Sequence, residues 1–324
     1  MWCSKKSEAL PTLDGVSASC VVAPHGAAGS TAKRGGSSTM SARGPFGSWL
    51  DFLCARFKHI AASEWQQRFD AGLVFDAGGH PLQADAPCVP GTRVYYYRAW
   101  RDEPALPVGE QVLYQDAHLL VVDKPHFMPV TPSGRYVQRS LLVRLKKSLG
   151  LPHLSPLHRL DRETAGLVLF AIQPEARNAY QALFRHHAVE KTYEAVAAFD
   201  PALSLPCVRR SRLQAEERFF RSHEVAGEPN SETHIALLQR SGEHALYRLT
   251  PRTGQRHQLR VHMCALGLPI EGDQFYPEVL RGPEEEDDHA RPLQLLAKAL
   301  SFVDPLTGTQ HRFVSQQRLR MSLA

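Results

Sequence analysis

The sequence predicts an α+β fold in which a largely antiparallel, mixed central sheet is flanked by helices, with a small α+β module in front of it. The main observation is that predicted strands joined by short loops follow one another from about residue 110 onward and are interrupted by only a few helices. Strands joined by short connections favour antiparallel pairing, whereas regular strand and helix alternation indicates a parallel sheet. A hydrophobic content of 43% over 324 residues is enough for one large core or two smaller ones.

The first predicted segment, residues 1–46, is rich in Ser, Ala, Gly and Thr and has no sustained hydrophobic period. Such a composition cannot bury enough apolar surface to offset the entropy of ordering, so we expect disorder. The segment lacks the apolar stretch of a secretory signal, and Glu8 and Asp14 argue against a transit peptide.

Residues 47–98 are predicted to form the small module. A first helix is indicated by the helical spacing of Leu50, Leu53 and Phe57. Ser63 is expected to cap a second helix that ends near Gly72. LVFDAGGHPL then predicts a strand, a Gly-Gly turn and a strand, and CVPGTRVYYYR predicts an aromatic strand. This order resembles a degenerate S4-type RNA-binding module, and the alternative is an accessory domain that only packs on its neighbour. Residues 99–109, which contain two prolines, are the predicted linker.

Residues 110–324 are predicted to form the main domain. HLLVVDKP and LVLFAI are expected to be buried strands, and KTYEAVAAF, THIALLQ and HALYRLTP further strands. Ser140 begins a helix that ends before Gly150, and Pro174 lies in the first turn of the next helix. GQRHQLRVHMCALG closes as a helix with Gly267 just past its end.

The formal net charge of +5 permits a nucleic-acid partner without requiring one. Basic residues gather in three clusters, each a candidate for phosphate contact or for solvated surface charge. The clusters are Arg139, Arg144, Lys146 and Lys147; Arg209, Arg210, Arg212, Arg218 and Arg221; and Arg252, Arg256 and Arg260.

Other classes of protein and site are disfavoured. The longest uncharged apolar stretch, around residues 166–172, is far shorter than a membrane span requires, so no membrane partner is expected. Six cysteines are scattered singly, which fits a reducing, cytoplasmic setting. No HExxH occurs and His257 and His262 are poorly spaced as ligands, so no metal is expected. The run EEEDD, residues 284–288, is expected to be an exposed acidic loop.

Five segments, in this order, resemble the motifs of the RluA-type pseudouridine synthases. They are VVDKPHFMPV at 121–130, HRLDRETAG at 158–166, KTYEA at 191–195, RTGQRHQLRVHMCALGLPIEGDQFY at 252–276, and LLAKALSFVDPLTG at 295–308. The sequence departs from the family's pattern in four places: Phe127 stands where Gly is usual, Ala165 where Ser is usual, and Leu296 and Asp304 where two histidines are usual.

Asp161 is the residue on which the functional prediction depends. From its neighbours alone, between Arg159 and Arg162, it is either a functional carboxylate or a loop aspartate in an ordinary salt bridge. The resemblance implies that Asp161 is the catalytic nucleophile or base, which acts at the ribose so that the uracil glycosidic bond breaks and the base rejoins through carbon. The resemblance implies no cofactor, and it leaves a covalent adduct and a glycal route both open.

The resemblance also implies roles for residues around Asp161. Arg260 is expected to pair with Asp161 and keep it ionised, and Tyr193 to stack on the target base and to help move a proton. RNA binding and base flipping fall to Arg159, Arg256, His158 and Gln258. Arg159 is expected to fill the place of the extruded uridine. Arg256, one turn before Arg260 on the same helix face, is expected to meet phosphate.

The function that the resemblance implies is an RNA pseudouridine synthase that acts on structured loops of ribosomal or transfer RNA. We expect the protein to be a monomer. One alternative is a non-catalytic RNA-binding or ribosome-assembly factor on the same fold, which the departures at Ala165 and Leu296 and in the loop at Phe127 favour. Another is a metal-dependent hydrolase of nucleic acid, suggested by the histidines and the acidic run.

Overall fold

The computed structural model describes residues 13–25, 45–97, 103–106, 108–216, 221–282 and 285–320. The chain divides into two compact units, Met1–Asp102 and Glu103–Ala324. The division falls within the predicted linker 99–109, of which residues 99–102 and 107 lie outside the described residues.

The first unit combines two short helices with a small antiparallel sheet. Within its described residues the elements are β1 (Ser19–Val22), α1 (Trp49–Arg56), α2 (Ala62–Asp70), β2 (Val74–Phe75) and β3 (Arg93–Tyr96). The strand order is β1-β3-β2. The core is aromatic: the ring of Trp65 is buried and lies 5.1 Å from the ring of Tyr96 and 5.6 Å from that of Phe57.

Three expectations for this unit are corrected. The disorder expected for residues 1–46 is wrong for β1, which pairs with β3 because its Cys-Val-Val run offers an apolar edge to the aromatic strand. Residues 1–12 and 26–44 of that prediction lie outside the described residues. Ser63 does not cap α2, because the N-cap position is Ala61 and Ser63 lies inside the first turn. The turn after β2 leads only to an isolated bridge between Phe75 and Pro81, not to a strand.

The second unit contains one large sheet with helices packed against it. Its described strands are β4 (Gln111–Gln115), β5 (Leu119–Lys124), β6 (Ser155–Pro156), β7 (Ala165–Ala171), β8 (Glu190–Ala198), β9 (Cys207–Ala215), β10 (Ser222–Val225), β11 (Ser231–Ser241), β12 (His244–Pro251), β13 (Leu295–Val303) and β14 (Gln310–Val314). Its described helices are α3 (Leu141–Leu149), α4 (Pro174–Arg185) and α5 (Gln258–Ala265).

The order of this sheet is β10-β9-β11-β12-β8-β13-β7-β5-β4, with β14 paired to β13 and β6 to β7. Among the described strand pairs, β13 and β7 are parallel and the others are antiparallel. The predicted α+β class with a mixed, largely antiparallel sheet is therefore confirmed.

Both faces of the central sheet are covered. Successive side chains of a strand point to opposite faces, and in β5 Leu120 and Val122 enter one hydrophobic cluster while Leu119 and Val121 enter another. This burial on two sides explains why β5 and β7 are apolar without interruption. The predicted end of α3 is also confirmed, since Gly150 follows it in a left-handed conformation.

Strand β13 lies at the centre of the sheet, between β7 and β8, although it comes late in the chain. Its approach to β7 is close, because a Cβ on Gly166 would lie 2.3 Å from the carbonyl oxygen of Ala297. Gly166 also has a φ of 112°, which L side chains rarely adopt. A glycine is therefore required at the start of β7, directly after the loop that carries Asp161.

Candidate active site

Asp161 lies in the loop that enters β7, and its side chain is 23% exposed. The loop turns tightly, with the Thr164 amide donating to the Asp161 carbonyl at 3.2 Å. Below it, the buried Nζ of Lys124 donates to the carbonyls of Arg162 at 3.2 Å and Pro125 at 2.9 Å. Burial lowers the pKa of Lys124 to about 7, against the opposing charges of Glu163 and Asp161. Lys124 thus fastens the Asp161 loop to the end of β5.

Asp161 opens into a cavity of about 520 Å³. This volume lies in the range of small-molecule sites. The wall includes Ser133, Arg159, Leu160, Thr164, Lys191, Tyr193, Pro251, Gln255, Arg256, His257, Arg260 and Leu295. Residues from four of the five motif segments meet at this cavity.

Arg260 projects from α5 toward Asp161, as expected, but its main partner is another carboxylate. Its Nε and Nη2 donate to the two oxygens of Asp273 at 2.8 and 2.6 Å, and both side chains are 1% exposed. The remaining Nη1 lies 3.7 Å from Asp161 Oδ2 and 3.9 Å from Glu163 Oε2. The two-point contact with Asp273 fixes the guanidinium so that one edge faces Asp161.

His257 is a second neighbour of Asp161. It is not among the site residues predicted from the sequence. It occupies the N-cap of α5 with φ 54° and ψ 19°. Its Nε2 lies 3.8 Å from Asp161 Oδ2, and its Nδ1 lies 3.1 Å from the hydroxyl of Tyr276. Its ring stacks on Phe275 at a centroid distance of 6.0 Å and an interplanar angle of 21°.

The charges around Asp161 decide its ionisation. Burial alone would raise the pKa of this carboxyl, but the positive groups nearby bring it below its ordinary value of 3.8. Those groups are His257, when protonated, and Arg260, Arg159 and Arg256. His257 adds its charge only at acidic pH, so near neutral pH the guanidinium groups keep Asp161 ionised.

Tyr193 lies in β8 opposite Ala297 of β13, and its side chain lines the cavity. Burial and the charge of Asp161 raise the pKa of its hydroxyl, which keeps the ring neutral. Two residues earlier, Lys191 also lines the cavity, and its Nζ donates to the Thr253 carbonyl at 3.1 Å. The KTYEA segment therefore supplies an aromatic wall and holds the RTG segment in place.

The structure brings two of the four predicted RNA-binding side chains to the cavity as exposed groups. These are Arg159 and Arg256. The expectation that Arg256 shares a helix face with Arg260 is wrong, because α5 begins at Gln258 and the left-handed His257 redirects the chain before it. Arg256 therefore lies on the loop at the cavity wall.

The other two predicted RNA-binding side chains are engaged within the fold. His158 accepts from the Leu169 amide at 3.1 Å and stacks on Phe184, and burial lowers its pKa to about 3. The side-chain amide of Gln258 bonds to Thr253, Gln255, Glu232 and Thr233. Gln258 is 4% exposed and holds the RTG loop, although it also borders the cavity.

The acidic run 284–288 is not simply an exposed loop, because the side chain of Asp287 is only 3% exposed. Its two oxygens accept from the Arg162 guanidinium at 2.6 and 2.9 Å, and Tyr136 donates to it at 3.0 Å. Glu285, Glu286 and Asp288 are exposed, and Glu284 lies outside the described residues. Asp287 thus anchors the side chain that follows Asp161 in sequence.

Asp287→Asn is expected to destabilise the protein by about 1.5–3 kcal/mol, because Arg162 loses a charged two-point partner. Turnover should fall with the looser Asp161 loop, while RNA affinity changes little. Asp288→Asn makes the same chemical change at an exposed neighbour and serves as the control in thermal melts and single-turnover assays. Equal behaviour of the two variants would contradict the anchoring role.

The departure at Phe127 has a visible consequence in the structure. Its φ of 65° is the left-handed conformation for which the family's usual glycine is suited. Phe127 is nevertheless 6% exposed and packs edge-on against His289 at 4.8 Å. Burial of the ring offsets the backbone strain, which is on the order of 1–3 kcal/mol.

The basic clusters are partly engaged in ion pairs. Arg144 pairs with Glu110 at 2.7 Å, and two arginines of β9 pair with acidic residues of neighbouring strands. Those pairs are Arg209 with Glu224 and Arg210 with Glu232. Arg218 lies outside the described residues. In the third cluster, Arg256 lines the cavity and Arg252 is exposed.

Within the described ranges, no group of three or more His, Cys, Asp or Glu side chains is placed to hold a metal ion. No helix in the part of the chain that the structure describes has the length and apolarity to cross a membrane.

Comparison with known proteins gives consistent matches. The sequence profile of the family described as RNA pseudouridylate synthase matches residues 118–265. An uncharacterized RNA pseudouridine synthase of Synechocystis sp. is 30% identical over 237 residues, which cover 70% of this chain and 78% of the relative. The dual-specificity RNA pseudouridine synthase RluA of Haemophilus influenzae is 32% identical, over 65% of this chain and 94% of the relative.

Two solved structures have a similar fold. Human RNA pseudouridylate synthase domain containing 1 matches with a TM-score of 0.53 and 23% identity, over 66% of this chain and 86% of that chain. Human RNA pseudouridylate synthase domain containing 4 matches with a TM-score of 0.50 and 27% identity, over 64% and 88%.

Proposed function

Because this chain belongs to the RluA-type RNA pseudouridine synthases, we propose that it isomerises specific uridines in ribosomal or transfer RNA with Asp161 as the reactive carboxylate. The observation that carries the proposal is the placement of Asp161, ionised and partly exposed, in a cavity whose other walls are cationic and aromatic. That placement gives no support to a non-catalytic RNA-binding factor as the alternative.

Asp161 acts at the ribose of the target nucleotide, so that the bond between N1 of uracil and C1′ breaks. Arg260 keeps the carboxylate ionised and in position through its contact with Asp273. Tyr193 provides a ring for the detached base to stack on while it turns. The base then rejoins C1′ through its C5 atom, and no redox change or group transfer occurs.

The target uridine must leave its stack to reach the cavity, and this costs a few kcal/mol, least in a loop. Arg159 is exposed at the cavity wall, and it is the residue proposed to enter the vacated position. Arg256 and Arg252 are the proposed phosphate contacts, and RNA binding should therefore weaken steeply with salt. The first unit is proposed as an additional RNA-binding module, and the protein as a monomer.

The proposal is tested by mapping pseudouridines in total RNA from cells with and without the gene. We expect one or a few sites in ribosomal or transfer RNA to be lost in the deletion strain. They should return when the wild-type chain is supplied, but not when Asp161→Asn is supplied. Identical maps from the two strains, together with no product from purified protein on the same RNA, would refute the proposal.

A further inference from the structure

His257 is held rigidly at the wall of the cavity, beside the proposed reactive carboxylate. Its side chain is 8% exposed and its Nε2 lies 3.8 Å from Asp161 Oδ2. The roles proposed above for Asp161, Arg260 and Tyr193 do not involve this nitrogen. The hydrogen bonds of Tyr276 determine which tautomer of the imidazole faces the cavity.

The hydroxyl of Tyr276 makes three contacts and has one proton to give. It accepts from the Ser222 amide at 2.8 Å and donates to the Ser222 carbonyl at 2.9 Å. Its contact with His257 Nδ1 must therefore be one in which Nδ1 donates. In the neutral ring this leaves Nε2 without a proton, with its lone pair on the Asp161 side.

The ring is neutral near pH 7. Burial lowers the pKa of His257 below 6.5, and Arg260 and Arg256 lower it further against the opposing charges of Asp161 and Glu163. An unprotonated Nε2 in a cavity is a proton acceptor. When it takes up a proton, the adjacent Asp161 carboxylate stabilises the resulting imidazolium.

The proposed reaction needs such an acceptor, and in this respect the inference rests on the proposed function. After C5 has bonded to C1′, C5 still carries its hydrogen, which must leave as a proton, while N1 must gain one. Asp161 is assigned to the ribose. We propose that His257 is a second catalytic residue, whose Nε2 removes the C5 proton as the C5–H electron pair returns to the ring. The imidazolium then passes that proton to N1, so that protons balance.

The test compares two RNA substrates, both transcripts of tRNA and ribosomal RNA. One set is made with [5-³H]uridine, which releases tritium when the C5 proton leaves. The other is made with 5-fluorouridine, in which the glycosidic bond can break and C5 can bond to C1′, but C5 has no proton to lose. We expect His257→Gln to slow tritium release roughly 10²- to 10⁴-fold, with consumption of 5-fluorouridine RNA close to wild type.

Equal losses on both substrates, or unchanged tritium release, would overturn the role of His257. Consumption of the fluorinated RNA also reports whether the variant is folded. His234→Gln, which alters a half-buried histidine outside the cavity that is paired with Glu232, is the matched control and should change neither rate. If the wild-type chain acts on neither substrate, it is the proposed function that fails, and His257 plays no part in that result.

Tyr276→Phe gives an independent check, because it removes the acceptor that fixes the proton on Nδ1 while it keeps the aromatic ring. The imidazole is then free to place its proton on Nε2. Tritium release should slow by less than in His257→Gln, again with little change on 5-fluorouridine RNA. Tritium release at the wild-type rate in Tyr276→Phe would contradict the assigned tautomer.

Discussion

Asp161→Asn is expected to reduce turnover by at least about 10⁴-fold, because the amide is neither a base nor a nucleophile for the ribose. RNA affinity should be unchanged or slightly higher, since a negative charge disappears from a cavity that receives a phosphodiester chain. The measurements are single-turnover pseudouridine formation and filter binding to the same transcript. Because the pKa of Asp161 lies below its ordinary value, the wild-type enzyme should lose activity through protonation of this group only at strongly acidic pH.

Asp200→Asn is the matched control, because it makes the same change in a loop aspartate outside the cavity, where the amide oxygen still accepts from Ala202. We expect it to behave as wild type in both assays. Substantial turnover in Asp161→Asn would remove Asp161 from its proposed role. Loss of RNA binding in that variant would indicate that its defect is not chemical.

Asp273→Asn should have the largest effect on stability among the site variants, about 3–5 kcal/mol, because it leaves the guanidinium of Arg260 buried without its charged partner. Asp273 also accepts from the amides of Phe275 and Tyr276 at 2.8 and 3.2 Å, so the turn that supports His257 should loosen. A clear drop in melting temperature and a fall in kcat should appear together, and differential scanning calorimetry with single-turnover assays measures both.

Arg260→Lys provides the comparison, since it retains the positive charge but cannot make two parallel contacts with Asp273. We expect its turnover to fall even where the protein remains folded, because the ammonium does not hold one edge toward Asp161. An unchanged melting temperature in Asp273→Asn would contradict the view that this pair holds the site together.

The sequence predicted the three described helices of the second unit and the strands β5, β7, β8, β11 and β12, but not its six other described strands, which include the central β13. Strand patterns and helix-end residues such as Ser140, Gly150 and Pro174 depend on the local sequence. The helices that these residues begin or end are present in the structure. Ser63 was misassigned because a serine near a helix start is compatible with either cap or first turn. Strand β1 was missed because four residues acquire a strand conformation only through pairing with β3.

The candidate site was predictable only through the resemblance to the family's motifs, because the neighbours of Asp161 alone also fit an ordinary salt bridge. Asp161, Tyr193, Arg260 and Arg159 meet at one cavity as expected. Asp273 and His257 lie inside a matched segment, but the pairing of Asp273 with Arg260 depends on how the chain turns after α5, and the position of His257 depends on the turn before it. Asp287 could not be found, because its burial depends on Arg162 and Tyr136, which are distant in sequence.

Two of the sequence's departures from the family pattern turn out to be neighbours. Leu296 of β13 lies opposite Ala165 of β7 in the parallel register, and both are fully buried. Where the family usually has a histidine and a serine, this chain therefore has an apolar contact. A polar group at only one of these positions would lack a hydrogen-bonding partner there, so the two replacements make structural sense together.

The central position of β13 also determines when the site can form during synthesis. The loop of Asp161 and the strand of Tyr193 belong to β7 and β8, which meet only through β13. A nascent chain synthesised as far as α5 already contains every proposed reacting side chain. It still lacks β13, the strand that joins β7 to β8. Contacts between such distant parts of a chain form slowly, because a long loop must close first. The proposed site is therefore completed only after β13, Leu295–Val303, has been synthesised and has paired with both strands.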